Sequence, residues 1–120
     1  TVLDIDAMRA AAALCLGDHD FRAFQAANDY RTQTWRRLDA FDIAVMPHPH
    51  APIVHLRVTG NAFLKNMVRI LVGTLVEVGL GRRRASDMRR LLSGQASRRD
   101  AGPTAPAPGL TLEHVELATT

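Results

Sequence analysis

The longest apolar pattern in the chain runs from Phe63 to Val78, where hydrophobic residues recur nearly all the way round a helical projection. A helix with this pattern is expected to be buried on most of its sides. A second, shorter pattern predicts a helix from Leu3 to Leu16, with Asp4 or Asp6 as its N-cap. Gly17 follows this pattern at once and is expected to end the helix.

Alternation of apolar and polar residues predicts two adjacent strands in the middle of the chain. The strands cover Arg37 to Met46 and Ile53 to Gly60, and the three prolines between them indicate a connection, because proline cannot donate to a ladder. Before them, a tight turn and one helical turn are predicted from Gly17 to Phe24. The polar stretch from Gln25 to Gln33 is predicted to be a loop.

The last third of the chain is predicted to hold a short helix from Ser86 to Leu92, an extended stretch from Ala96 to Gly109 and a final strand from Leu110 to Leu117. The order is therefore helix, strand, strand, helix, helix, strand. This order favours an α+β fold with an antiparallel or mixed sheet covered by helices on one face.

Composition limits the class of protein. The 120 residues suffice for one domain, spanning positions 1–120, and the balance of 47% hydrophobic and 22% charged residues is typical of a packed globular chain. No apolar stretch reaches the roughly 18 uninterrupted residues of a membrane span, and the amino terminus lacks the pattern of a signal peptide. We therefore expect a cytoplasmic protein without a membrane partner. Cys15, the single cysteine, excludes an internal disulfide framework and a Cys-rich zinc site.

The charges are segregated along the chain. Residues 1–81 carry eight basic and eight acidic side chains, whereas Arg82 to Arg99 contains seven arginines and one acid, Asp87. Arginine suits bidentate contacts to phosphate, so this stretch is a candidate nucleic-acid surface. A solvated face explains such a cluster at least as well from composition alone.

Arg69 does not fit its apolar surroundings in the long predicted helix. No acidic residue lies three or four positions away, and Glu77 is about 12 Å along the helix axis. An unpaired charge in an apolar setting is unfavourable by several kcal/mol, so Arg69 needs an anionic partner from another segment or another molecule. Asp39 or Asp42 on the hairpin, or exposure to solvent, are the alternatives. Gly73, one turn later on the same face, leaves space for something to approach.

Three blocks of the sequence resemble the bacterial tRNA pseudouridine synthase A family. They are Leu14 to Phe24, Gly60 to Gly79 and Ala101 to Leu112, in that family's order and spacing. The resemblance covers the carboxy-terminal half of such an enzyme and implies the corresponding half of the pseudouridine synthase fold. Ser97 and Thr111 depart from residues common in the family.

The resemblance implies a division of the catalytic groups between two halves. The family's nucleophilic aspartate lies in an amino-terminal half, within an Arg-Thr-Asp motif that has no counterpart here, so this chain is expected to hold no nucleophile and to be inactive alone. Arg69 matches the family arginine that pairs with that aspartate. Leu110 matches the apolar residue of the uracil pocket, and Phe63 and Gly73 are expected beside it.

The family isomerises uridine to pseudouridine in the anticodon arm of tRNA, at positions 38, 39 and 40, without a metal or other cofactor. The expected partners are therefore tRNA, the amino-terminal half of the enzyme and a second copy in a homodimer. RNA contacts are expected from the polar and basic residues Lys65, Asn66, Arg82, Arg83, Arg84 and Arg98.

Other functions and chemistries are less favoured. A non-catalytic RNA-binding module and a dimerisation domain are the alternative functions for this chain. Asp100 follows two arginines but lacks the rest of the nucleophile motif. His48, His50 and His55 lie near one another in the sequence, yet no cysteine or clear fourth ligand accompanies them, so zinc is not favoured.

Overall fold

A three-stranded antiparallel sheet forms the base of the structure, a computed structural model that describes residues 3–50 and 52–106. The strands are β1 (Gly17–Asp20), β2 (Trp35–Met46) and β3 (Ile53–Gly60), and β2 lies between the other two. The α-helices are α1 (Ile5–Leu14), α2 (Met67–Gly79) and α3 (Met88–Leu91). Single 3₁₀ turns cover Arg22–Phe24, Ala85–Asp87 and Arg98–Asp100. The predicted α+β class is confirmed.

The core lies between the sheet and the helices. Helix α1 packs against both β2 and α2, and the buried side chains of these elements form one cluster with the 3₁₀ turn after β1. Its largest fully buried members include Phe21, Phe24, Met8, Leu38 and Leu75. Burial of such side chains is the main stabilising contribution in a domain of this size.

Helix α1 and the β2–β3 hairpin confirm the sequence patterns. The Asp4 carboxylate accepts a hydrogen bond from the Ala7 N–H at 3.0 Å, which caps α1 as predicted. In the hairpin, Ile43 lies opposite Leu56, and the register shifts by one residue between Leu38 and Ala40. The loop over residues 25–33 is also found where it was predicted.

The ends of α1 and the start of β2 differ by two residues from the predictions, and two other predictions were wrong. The turn expected from Gly17 is strand β1, because the positive φ of Gly17 (91°) reverses the chain and lays the next residues along β2. The helix expected from Phe63 begins at Met67. Asn66 has a left-handed φ of 60°, and the Met67 N–H donates to the Leu64 carbonyl, so residues 64–67 form a turn in place of a helical start.

The described residues after α3 add a short helical turn to the extended stretch that was predicted there. Ser97 and Asp100 form a capping box around the 3₁₀ turn Arg98–Asp100. The predicted strand Leu110 to Leu117 lies outside the described residues. No helix within residues 3–50 and 52–106 is long and apolar enough to cross a membrane.

Candidate functional site

Arg69 lies on the first turns of α2, and its half-buried guanidinium is held by two neutral acceptors. Its Nε donates to the Ala105 carbonyl oxygen at 2.8 Å, and its Nη1 donates to Asn66 Oδ1 at 3.4 Å. The Ala105 N–H donates in return to the Arg69 carbonyl at 3.0 Å. In the described part of the chain, no carboxylate lies within ion-pairing distance of Arg69, and Asp39 instead accepts from Arg37.

This arrangement orients the guanidinium, and within the described ranges 3–50 and 52–106 it brings no carboxylate to it. A guanidinium has five N–H donors in one plane, so bonds from Nε and Nη1 fix the direction of that plane. Nη2 has no partner among residues 3–50 and 52–106. The site can therefore present a directed donor and a full positive charge to an anion that reaches it.

The segment 98–105 reaches Arg69 because it docks on α2. The Gly102 N–H donates to the buried hydroxyl of Thr74 at 2.9 Å, and that hydroxyl donates to the Ile70 carbonyl. Beside it, a Cβ built on Gly73 would overlap the carbonyl oxygen of Pro103. The small residues on this face of α2 thus admit the backbone of the segment and bring Ala105 next to Arg69.

Arg98 and Arg83 hold the same segment by their side chains. Arg98 donates to the Gly102 carbonyl at 2.8 Å and to Thr104 Oγ1 at 3.1 Å. Arg83, whose side chain is only 16% exposed, pairs with Glu77 at 3.1 Å and Asp87 at 3.0 Å and also donates to the Asp100 carbonyl. Both arginines were predicted to contact RNA, and the structure engages both inside the fold.

The other predicted RNA residues have different surroundings. Arg82 and Arg84 are exposed, and neither guanidinium has a partner in the described part of the chain. They line an open depression of about 600 Å³ together with Arg83, Ser86, Asp87, Arg89 and Arg90. Arg69 does not line this depression, so the basic surface and the Arg69 site are separate features. The Lys65 side chain is exposed, and Asn66 faces Arg69.

The predicted pocket residues lie on both sides of Arg69 in the sequence. Phe63 is half-buried and packs on the core. Gly73 is buried, and the space that the sequence analysis expected beside it is occupied by Pro103 of the same chain. Leu110 lies outside the described residues.

Asp100, His48, His50 and His55 make no hydrogen bond to Arg69 in the described part of the chain. Hydrogen bonds from the Ser97 backbone and hydroxyl, with Arg90 nearby, hold the pKa of Asp100 below its ordinary value against partial desolvation, as expected of a capping residue. His48, His50 and His55 are exposed on or next to the hairpin connection. Within residues 3–50 and 52–106, no group of three or more His, Cys, Asp or Glu side chains is arranged to hold a metal ion.

The sequence analysis did not identify Ala105, Thr74 or Asp29 as part of this site. Ala105 and Thr74 act through a backbone carbonyl and a buried hydroxyl, for which no residue pattern is specific. Asp29 lies in a polar loop, where its carboxylate accepts a hydrogen bond from the Lys65 N–H, adjacent to Asn66. The one sequence feature that could have indicated this contact is the pair of small residues Gly73 and Thr74 in a helix that otherwise consists mostly of larger apolar residues.

Comparison with known proteins gives consistent matches over nearly the whole chain. The sequence model of a family described as tRNA pseudouridine synthase matches residues 11–117. A tRNA pseudouridine synthase A from Geobacter sp. (strain M21) is 46% identical over 113 residues, which are 94% of this chain and 44% of the relative. The same-named protein from Shouchella clausii is 49% identical over 114 residues, 95% of this chain and 42% of the relative. This chain therefore spans less than half the length of these curated relatives.

Proposed function

Because the chain belongs to the tRNA pseudouridine synthase family, we propose that it is the carboxy-terminal half of an enzyme that isomerises uridine to pseudouridine in tRNA. In this proposal Arg69 pairs with a nucleophilic aspartate of the amino-terminal half. The observation that carries it is the oriented guanidinium of Arg69, which is held by two neutral acceptors and has no carboxylate nearby in the described residues.

The reaction defines what Arg69 would do. Converting uridine to pseudouridine breaks the bond from C1′ to N1 and forms one from C1′ to C5; C5 loses a proton and N1 gains one. An opposite charge within about 4–6 Å lowers a carboxyl pKa by about 1 to 3 pH units, so Arg69 would keep the aspartate ionised for attack. Because the guanidinium is already oriented by Ala105 and Asn66, little reorganisation is needed when the carboxylate arrives.

The RNA contacts in this proposal come from the exposed arginines. We assign phosphate contacts to Arg82 and Arg84, which are exposed and line the open depression. We do not assign them to Arg83 and Arg98, whose guanidinium groups hold the 98–105 segment. Lys65, exposed at the turn before α2, would contact RNA nearer to Arg69. The target nucleotide must leave its stack to reach a buried site, as for other enzymes that act on a base.

The remaining parts of the proposal concern the complete protein. The family resemblance implies uridines of the anticodon arm as targets, a homodimer and a cytoplasmic location. A non-catalytic RNA-binding module remains the alternative, and the basic depression would serve it equally well. The two functions differ in the role they give Arg69, since RNA binding alone needs only its charge.

Turnover can be measured as tritium released from C5 of labelled uridine in tRNA. In the complete enzyme that includes this chain, Arg69→Ala should lower turnover by about 10²-fold or more and leave the Kd for tRNA within about twofold. Arg82→Ala is the matched control. It should leave kcat unchanged, weaken binding and reduce the slope of log K against log salt by about 0.7 to 0.9.

Two results would count against this assignment. Equal loss of turnover and affinity in Arg69→Ala would make the arginine a plain RNA contact. Turnover by this chain alone would place a nucleophile within it.

A further inference from the structure

The loop over residues 25–31 holds both backbone polar groups of Lys65. The Lys65 N–H donates to Asp29 Oδ2 at 3.0 Å, and the Ala26 N–H donates to the Lys65 carbonyl at 3.1 Å. Asp29 and Lys65 are 36 residues apart in the sequence. Lys65 therefore has its position set by a distant loop and not by the helix that follows it.

The Asp29 carboxylate, which accepts from the Lys65 N–H, is itself held in place by Arg31. Its side chain is only 7% exposed, and its two oxygens accept from Arg31 Nε at 3.0 Å, Arg31 Nη2 at 2.7 Å and the Arg31 N–H at 3.2 Å. These hydrogen bonds and the one from Lys65 hold the pKa of Asp29 far below its ordinary value. The carboxylate is consequently ionised at any pH at which the protein is expected to work, and it is a charge-assisted acceptor for Lys65.

The Lys65 peptide is directly linked to the Arg69 site. Asn66, the next residue, has a left-handed φ of 60°, a conformation that asparagine adopts more readily than most residues other than glycine. The Oδ1 atom of Asn66 accepts from Arg69 Nη1, and its carbonyl accepts from the Ile70 N–H at 2.9 Å. A movement of Lys65 would therefore rotate Asn66 and remove one of the two acceptors that orient the guanidinium.

We propose that Asp29 is a positioning residue for Arg69, acting through the Lys65 N–H and the turn at Asn66. This inference rests on the proposed function for its catalytic consequence. Asp29 is not bonded to the guanidinium of Arg69, and its effect is to keep the Asn66 acceptor in place. Loss of Asp29 should therefore impair the chemical step more than the binding of tRNA, in which Lys65 is only one of several proposed contacts.

The test compares three variants of the complete enzyme by tritium release. Asp29→Ala should lower kcat roughly tenfold, which is below the hundredfold effect of a full ångström of misplacement. It should raise KM for tRNA by a smaller factor, because Lys65 is one of several proposed RNA contacts. Asp29→Asn keeps an oxygen that can accept from Lys65 and should restore kcat to within about threefold of wild type. Asp39→Ala is the matched control, because Asp39 also pairs with an arginine two residues away, Arg37, but is not bonded to the turn before α2. It should behave as wild type.

A second measurement does not depend on activity. Hydrogen exchange of the Lys65 amide in this chain should be faster in Asp29→Ala than in wild type and unchanged in Asp39→Ala. Wild-type kcat in a folded Asp29→Ala variant, or unchanged exchange at Lys65, would overturn the proposal. If Asp29→Ala does not fold, Asp29→Leu takes its place, because leucine has the same branching as aspartate but cannot accept from the Lys65 N–H. Wild-type kcat in that variant would also overturn the proposal.

Failure of the proposed function would look different. A wild-type enzyme without turnover, or an Arg69→Ala variant with full turnover, would contradict the catalytic role of Arg69. In that case the exchange rate at Lys65 still decides whether Asp29 holds the turn.

Discussion

Gly73→Ala tests whether the 98–105 segment lies directly on α2. A methyl group at this position would overlap the carbonyl oxygen of Pro103, and its next neighbours, Pro103 C and Ala105 N, are also backbone atoms. Backbone atoms cannot rotate away as the end of a side chain can, so the segment or the helix must shift. Because Ala105 belongs to this segment, the shift would also move an acceptor of Arg69.

Two opposing terms set the size of the effect. Alanine is more favourable than glycine in a helix interior by about 1 kcal/mol. Forcing an extra carbon into a filled space costs about 1 to 3 kcal/mol, and a backbone contact places this case at the upper end. We therefore expect a net loss of about 1 to 2 kcal/mol in the free energy of unfolding. For a chain of this size that corresponds to a Tm lowered by roughly 4 to 8 °C.

Urea denaturation and thermal melting of this chain give the two quantities. Gly79→Ala, in the same helix, is the control: its new Cβ would meet Met8 Sδ at 2.6 Å, and a methionine side chain can adopt another rotamer. Its loss of stability should be smaller than that of Gly73→Ala. A Gly73→Ala variant that is as stable as wild type, or more stable by the helix propensity alone, would refute the close approach of Pro103 to α2.

Three further predictions concern single side chains. Arg83→Met should lower the free energy of unfolding by about 1 to 3 kcal/mol, because it removes the arginine that pairs with two acids and a carbonyl. Arg82→Met should change the free energy of unfolding by less than about 0.5 kcal/mol. The midpoints of denaturant unfolding compare the two variants. Burial raises the pKa of the Asp20 carboxyl. The hydrogen bonds that it accepts, first from Thr34 and then from Arg22, have the larger combined effect, so the pKa of Asp20 lies below its ordinary value. The stability linked to this lowered pKa is present above the unfolded pKa of about 3.9 and is lost as the pH falls towards the folded pKa. Thr34→Val should therefore lower the free energy of unfolding by about 1 kcal/mol at pH 7 and by less near pH 3. Urea unfolding at a series of acidic pH values measures the difference. Burial raises the pKa of the Cys15 thiol to about 12, so iodoacetamide at pH 8 should label it slowly until urea unfolds the chain.

Local patterns predicted the elements whose partners are close in the sequence. Apolar and polar residues alternate along β2 and β3 because one face of the hairpin packs on the helices. The connection between the strands is short, so the alternation and the prolines together were sufficient to predict the hairpin. The cap of α1 is similarly local, since Asp4 bonds the N–H three residues on. The α+β class follows from the order of these elements.

Contacts between distant segments were not predictable in the same way. The start of α2 moved from Phe63 to Met67 because a loop some 36 residues earlier holds Lys65 in a turn, and nothing in residues 63–66 signals that loop. The sequence gives a partial indication that Arg83 is paired within the fold whereas Arg82 is exposed. Asp87 is only four residues after Arg83, so a pair between them could be expected from the sequence, but Arg83 also pairs with Glu77 from the end of α2.

The two bonds of Arg69 suit arginine at this position better than lysine. An arginine side chain has about 2 kcal/mol of rotamer entropy, and bonds from Nε to Ala105 and from Nη1 to Asn66 remove much of that freedom before any anion arrives. A lysine would carry the same charge, but its single nitrogen cannot hold acceptors at two sides and still direct a donor in a fixed plane. The acceptors come from opposite sides of Arg69 in the sequence, one in the turn before α2 and one 36 residues later. The orientation of the guanidinium is therefore a property of the assembled fold, and a shift of either segment should reach it.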